Sequence, residues 1–362
     1  MIPIANPIIE KEEEQAVLEV LRSGIIAQGP KVEEFEKNFA FYCNTEYAVA
    51  VNSGTAALHL SLMAMGIKGG DEVITTPFSF IASANSILYV NAKPVFADID
   101  DKTFNISPES VKEKINSRTK AIIPVHLYGQ PCDMKSLMEI AEDHHLMILE
   151  DACQAHGAEY ENKRVGSLGN AAAFSFYPTK NMTTSEGGMI TTNDKKIDEN
   201  AKIFRSHGQI KRYYHEFLGY NLRMTDISAA IGVEQLKKLD KFTQKRMENA
   251  RYLTQKIENI RGISPHYVLK NVKHVYHQYT IKIENGKRDE INKKLNESGI
   301  GTGIHYPIPI NDQPFYKKLG YNADETPVAK ETAKKVLSLP IHPSVTRENL
   351  DYIAEKLKEI LK

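Results

Sequence analysis

The order of apolar segments in this chain predicts an α/β protein: a mostly parallel sheet covered by helices, followed by a smaller α+β unit. Three observations carry that expectation. Short apolar or β-branched runs recur through the first two thirds of the 362 residues, without polar alternation, so each is buried on both faces. Segments with helical spacing separate them, as in a layered α/β domain. After about Leu239 the character changes to a long charged helical stretch.

The elements follow in chain order. Val17, Leu18 and Leu21 recur at helical spacing in a first helix that Gly24 stops, and Val32, Phe35, Phe39 and Tyr42 do so in a second. Both read as packing helices. Seven strand-like runs come next, at 47–51, 72–75, 94–99, 121–125, 146–149, 171–176 and 188–192. Between them, 55–65 places Leu58, Leu62 and Met65 on one helical stripe, and 134–144 is a further helix. The charged helix runs through Ile260, then come a strand at 277–283, a helix ended by Gly299 and two more C-terminal helices. This divides the chain into a large domain, residues 1–240 with the N-terminal helices, and a small C-terminal α+β domain, residues 241–362.

Composition excludes several function classes. Lys+Arg and Asp+Glu both number 46, so no net basic field draws the chain to nucleic acid or acidic lipid, and a small molecule is the expected partner. Cys43, Cys132 and Cys153 have neither metal-site spacing nor an even count for a disulfide framework, which fits a reducing cytoplasm and no metal. The N-terminus lacks a basic region followed by an apolar stretch, and no run is long enough to cross a bilayer.

The chemistry is carried by residues that follow strand ends. Lys180 lies in Phe174-Ser175-Phe176-Tyr177-Pro178-Thr179-Lys180-Asn181, between an apolar run and Gly187-Gly188, with Thr183, Thr184 and Ser185 nearby instead of a charged face. Asp151 lies in Glu150-Asp151-Ala152-Cys153-Gln154-Ala155-His156-Gly157, at the end of another run. In open α/β sheets ligands collect outside the carboxyl ends of the strands, so the two can converge. A buried carboxylate needs a cationic partner. A protonated pyridine is one, and a lysine whose pKa falls on burial is suited to imine formation. The pair is the equipment of a pyridoxal phosphate enzyme. Asn52-Ser53-Gly54-Thr55-Ala56-Ala57 leads from a strand into an apolar helix, where free amides and hydroxyls suit a phosphate dianion; the same pattern also serves as an ordinary N-cap.

With these motifs in order, and with Tyr220-Asn221-Leu222-Arg223-Met224 after them, the chain resembles the DegT/StrS nucleotide-sugar aminotransferases, fold type I pyridoxal phosphate enzymes, nearly end to end. The resemblance implies a seven-stranded sheet in the large domain and a homodimer with shared active sites. It implies that Lys180 is the Schiff-base lysine, that Asp151 partners the pyridine nitrogen, and that Gln154 contacts the ring or its hydroxyl. Phe80 matches the aromatic that stacks on the ring. Ser53, Gly54, Thr55, Ala56 and Ser175 match the phosphate loop, and Asn221 a phosphate contact from the neighbouring subunit. Arg223, His305 and Tyr306 match positions near the nucleotide-sugar. The implied reaction moves an amino group from L-glutamate, through pyridoxamine phosphate, to a 3-keto or 4-keto sugar for amino-sugar biosynthesis. Relatives with histidine in place of the lysine eliminate water instead, so Lys180 favours transamination over a dehydratase or lyase, and over a non-catalytic regulatory protein.

Overall fold

The computed structural model describes residues 1–284 and 286–362. Its centre is a seven-stranded sheet of β1 (Tyr47–Val51), β2 (Glu72–Thr75), β3 (Lys93–Phe96), β4 (Thr119–Ile123), β5 (Met147–Asp151), β6 (Ala171–Ser175) and β7 (Gly188–Thr192). The spatial order is β1-β7-β6-β5-β4-β2-β3. Pairs β3–β2, β2–β4, β4–β5 and β5–β6 are parallel. β7 runs antiparallel to both β6 and β1. All seven expected runs are strands, and their continuous hydrophobicity has the expected cause, since helices cover both faces.

The helices of this part are α1 (Lys11–Ser23), α2 (Pro30–Cys43), α3 (Gly54–Ala64), α4 (Ala82–Tyr89), α5 (Pro108–Lys114), α6 (Met134–Asp143), α7 (Lys195–Arg205) and α8 (Asp226–Ile257). α3 is more than an amphipathic stripe, because nearly every residue from Gly54 to Leu62 is buried. α2 packs as expected, with Val32, Phe35 and Phe39 buried and Phe39 edge-on to Phe174 of β6. Its N-terminal amides are capped from far away: the Asp226 carboxylate accepts from the amides of Gly29 (2.8 Å), Lys31 (3.1 Å) and Val32 (3.0 Å).

α1 departs from expectation. Ala16 and Val20 face inward, while Leu18 and Leu21 are exposed. Glu13 is the reason: it is buried and accepts from Lys238 Nζ (2.9 Å) and Gln235 Nε2 (2.8 Å) of α8. Those bonds roll the helix away from the leucine stripe that hydrophobicity alone selects.

α8 is 32 residues long and contributes to two cores. Ala229, Val233 and Leu239 pack with α2 and β6. Ala250, Leu253 and Ile257 pack with an antiparallel sheet of β8 (Ile263–Pro265), β9 (Tyr279–Ile283) and β10 (Val336–Leu339) and with α9 (Arg288–Glu297). Three short or medium helices follow where two were expected: α10 (Pro314–Lys318), α11 (Pro327–Ala333) and α12 (Arg347–Leu361). α10 and α11 turn back to the large sheet, Tyr316 against Phe96 and Ala329 and Ala333 against the cluster of Phe78, Phe104 and Tyr128. That return carries residues 305–306 over the strand ends. Among the described residues no helix is long and apolar enough to cross a membrane.

Candidate active site

The parallel strands deliver their carboxyl ends to one edge, and a cavity of about 570 Å3 opens there. Ser53, Gly54 and Thr55 from the start of α3, Phe80 before α4, Asp151 and Gln154 after β5, Ser175 and Lys180 after β6, and His305 and Tyr306 all line it. A volume of this size suits a small-molecule site. A second cavity of similar volume lies where β2 and β3 begin, but its buried carboxylate, Glu72, is already engaged by Arg118 (2.7 Å) and Asn116 (2.7 Å).

Asp151 ends β5 with its backbone locked between neighbours. Its amide donates to Pro124 O (2.9 Å) and its carbonyl accepts from the His126 amide (3.1 Å). The side chain is buried, Oδ2 accepting from Ser83 Oγ (2.7 Å) and Oδ1 from the Cys153 amide (3.2 Å). Glu150, one residue earlier, faces the opposite side of the sheet. Fully buried, it accepts from the amides of Gly166 (3.1 Å), Leu168 (2.8 Å) and Gly169 (2.9 Å). His126 Nδ1 accepts from the Cys132 amide, so Nε2 carries the proton and donates to Glu150 (3.0 Å). Glu150 thus ties the strand that carries Asp151 to the segment entering β6.

Lys180 sits in the connection between antiparallel β6 and β7. The Phe176 amide donates to Gly187 O (2.9 Å), and the Thr184 amide (3.0 Å) and Thr183 Oγ1 (2.8 Å) both donate to Phe176 O. Asn181, Met182, Thr183 and Thr184 are buried, and Asn181 Nδ2 is fixed to Val275 O (3.0 Å). The loop is therefore anchored on both sides of the lysine. No described side chain pairs with Lys180 Nζ by a hydrogen bond or salt bridge. Burial draws this amine below the ordinary lysine range, while Cys153 and Asp151 act in the opposite direction. His305 falls to about 4 by burial and the nearness of Lys180, and His277 falls well below the usual histidine value for the same two reasons first. Both imidazoles are neutral at physiological pH.

At the start of α3, Ser53 Oγ accepts from the Ala56 amide (3.1 Å) and Ser53 O from the Ala57 amide (3.0 Å). The amides of Gly54 and Thr55 are left for a ligand, at the positive end of the helix. Two glycines make the close approach possible. A Cβ on Gly54 would lie 2.6 Å from Cβ of Ser175, and one on Gly188 would lie 2.3 Å from Ser53 O. The turn thus rests directly on the end of β6, beside Ser175. A carboxylate, an amine and an anion cradle facing one cavity fit pyridoxal phosphate. Phe80, 57% exposed despite its ring, stands at the rim with its centroid 6.4 Å from that of Tyr306.

Three expected contacts lie elsewhere in a single chain. Ala56 is buried with its amide already used by Ser53. Asn221 is exposed and Arg223 half-buried, held by backbone bridges to Ser206 and Val51 respectively, and neither lines the cavity. Gln154 is fixed at both ends: Oε1 accepts from the Tyr128 amide (2.9 Å) and Nε2 donates to Tyr306 Oη (3.3 Å). Sequence reasoning missed Ser79, Ser83, His277, Gln278, Ile4 and Ala5, which also line the cavity. None stands in a pattern that singles it out. Ile4 arrives because the N-terminal segment is clamped to the far end of the chain, with the Ile2 amide donating to Gly299 O (2.7 Å) and the Gly301 amide to Ile2 O (2.7 Å).

Comparison with known proteins agrees with this geometry. Residues 7–358 match the sequence profile of the DegT/DnrJ/EryC1/StrS aminotransferase family. The chain is 40% identical to the GDP-perosamine synthase of Caulobacter vibrioides, over 99% of this chain and 98% of that protein. It is 42% identical to the dTDP-3-amino-3,6-dideoxy-alpha-D-galactopyranose transaminase of Aneurinibacillus thermoaerophilus, over 97% and 95% respectively. The PLP form of Spr1654 from Streptococcus pneumoniae superposes with a TM-score of 0.95 at 30% identity, covering 99% of this chain and 98% of that one. The chain belongs to the DegT/DnrJ/EryC1/StrS aminotransferase family.

Proposed function

We propose that this aminotransferase uses pyridoxal 5'-phosphate to move an amino group from L-glutamate to a 3-keto or 4-keto sugar carried on a nucleotide. The observation that carries the reading is Asp151 and Lys180 lining one cavity beside the amides of Gly54 and Thr55. When bound, the cofactor supplies an electron sink and carries the amino group between donor and acceptor. Lys180, with its lowered proton affinity, is the amine that anchors the cofactor and moves the proton at the carbon bearing the amino group. Asp151 holds a proton on the pyridine nitrogen. Phe80 would cover the ring, Gln154 would contact the ring or its hydroxyl, and Ser53, Gly54, Thr55 and Ser175 would hold the phosphate.

The sugar's diphosphate and the donor's carboxylates need more positive charge than one chain offers. Among the described residues Lys180 is the only lysine or arginine lining the cavity, and the lining histidines are neutral. This supports a homodimer in which Asn221 and Arg223 complete the neighbour's site, with His305 and Tyr306 contacting the sugar. We assign residues 1–240 to the cofactor-binding domain and 241–362 to the small domain. Three free cysteines, two of them buried, support a reducing cytoplasm. One relative acts on a GDP sugar and another on a dTDP sugar by their names, so the test is a product screen across UDP-, GDP- and dTDP-keto sugars. Glutamate-dependent amine formation, lost in Lys180→Ala, is the expected result. Turnover that proceeds equally without an amino donor would instead identify a dehydratase.

A further inference from the structure

Asp151 does not meet the cavity alone. Ser83, fully buried near the start of α4, donates from Oγ to Asp151 Oδ2 (2.7 Å). Ser79 Oγ lies 3.0 Å from Ser83 Oγ, and it too is buried. The Ser83 proton is committed to the carboxylate, so Ser79 is the donor in that second bond. The result is a directed chain, Ser79 to Ser83 to Asp151, with the Cys153 amide donating to the other carboxylate oxygen (3.2 Å). Each oxygen keeps a lone pair for a ligand. Ser79, Ser83 and Asp151 all line the cavity, and Ser79 immediately precedes Phe80 at its rim.

We infer that Ser83, supported by Ser79, is a positioning residue that keeps Asp151 ionised and aimed at the pyridine nitrogen of the cofactor. This rests on the role given to Asp151 above. A hydrogen bond donated to a carboxylate stabilises its anionic form. In a buried carboxylate–pyridine pair, that stabilisation keeps the shared proton on nitrogen and away from oxygen. Removing the donor lets the proton shift toward Asp151 and frees the carboxylate to rotate. Both effects weaken the electron sink in the same direction. The chain also couples the segment holding Phe80 over one side of the site to the carboxylate at its base, so the two are set by one hydrogen-bonded unit.

The test uses holoenzyme loaded with cofactor labelled with 15N at the pyridine nitrogen. In Ser83→Ala the 15N resonance should move toward the unprotonated value, with kcat lowered about tenfold to a hundredfold, the range for one hydrogen bond to a charged group. Ser83→Thr, which keeps the hydroxyl, should return the resonance to the wild-type position. Ser79→Ala should give a smaller shift of the same sign, and it decides the matter if Ser83→Ala does not fold. An unmoved resonance in Ser83→Ala, or in Ser79→Ala where that variant decides, overturns the inference, as does equal loss in the alanine and threonine variants. A wild-type nitrogen that is already unprotonated, and is insensitive to Asp151→Asn, would overturn the role of Asp151 itself and this inference with it.

Discussion

Replacing Gly54 with alanine isolates the anion cradle from the rest of the site. The added methyl would meet Cβ of Ser175 at 2.6 Å, the Cys153 sulfur at 3.0 Å and Cα of Ser175 at 3.2 Å. Carbon atoms in contact prefer about 3.5–4.0 Å, so the start of α3 must retreat by about 1 Å. Ser175 cannot yield instead, because it ends a strand paired with β7 in register from Ala171 to Ser175. Overpacking of this kind costs about 1–3 kcal/mol of stability. The same retreat takes the Gly54 and Thr55 amides away from a bound phosphate. Losing one charge-assisted hydrogen bond of about 1.5–3 kcal/mol weakens cofactor binding by about tenfold to a hundredfold. Apoenzyme titrated with pyridoxal phosphate and followed by absorbance reads the affinity, and thermal unfolding reads the stability. Gly69→Ala is the control, since its nearest neighbours are 3.7 Å away. A variant that is destabilised as expected but binds the cofactor within twofold of wild type would show that the phosphate is held elsewhere.

Glu150→Ala should destabilise the fold by about 3–5 kcal/mol, because it strands three backbone amides and the His126 N–H in a dry interior. Chemical denaturation measures this, and a loss below about 1 kcal/mol would mean that the 166–169 segment finds other partners. Lys180 gives a pH prediction. Its folded-state pKa is lowered by burial, so burying it is least costly above the unfolded value of about 10.4 and most costly below the folded value. Apo Lys180→Ala should accordingly be more stable than apo wild type near neutral pH, with the gap closing as pH rises between those two values. A gap that stays constant to pH 10 would show that the amine is not desolvated.

The parts of the site that could be read from the sequence share a property. Asp151 and Lys180 are chemically typed residues placed by local structure, each within a few residues of a strand end, and strand ends are visible as breaks in apolar runs. The Ser53-Gly54-Thr55 turn is local in the same sense. Ser83 and Ser79 are not, since a serine in an apolar helix start is unremarkable until β5 brings a carboxylate beside it, 68 residues away from Ser83 in sequence. His277 and Ile4 arrive by still longer routes. The misread face of α1 has the same origin, because the Glu13 bonds that roll it come from α8, more than 220 residues away.

Asn221 and Arg223 show the converse. The sequence identifies them by their place after the lysine motif, yet backbone bridges hold both outside the cavity of their own chain. A single chain therefore builds the base of the site, where Asp151, Lys180 and the α3 amides converge, and among the described residues it lines the cavity with no arginine. The base needs groups fixed to strand ends, which a folded monomer supplies. In the proposed dimer, cations on the neighbouring surface would stay solvated until substrate arrives, without burying an unpaired charge in the monomer's core. On that division of labour, substitutions at Asn221 and Arg223 should weaken cofactor or substrate binding in the assembled enzyme while leaving the unfolding of one subunit almost unchanged. Mixed dimers test it directly. One subunit carrying Lys180→Ala and the other Arg223→Ala should lose both sites if each Arg223 serves its own chain's lysine, but should retain one intact site and about half of the activity if Arg223 crosses the interface, because both lesions then fall in one shared site. Both lesions placed in the same subunit would, on crossing, damage both sites and abolish activity, whereas full retention of one site in that arrangement would refute the shared site.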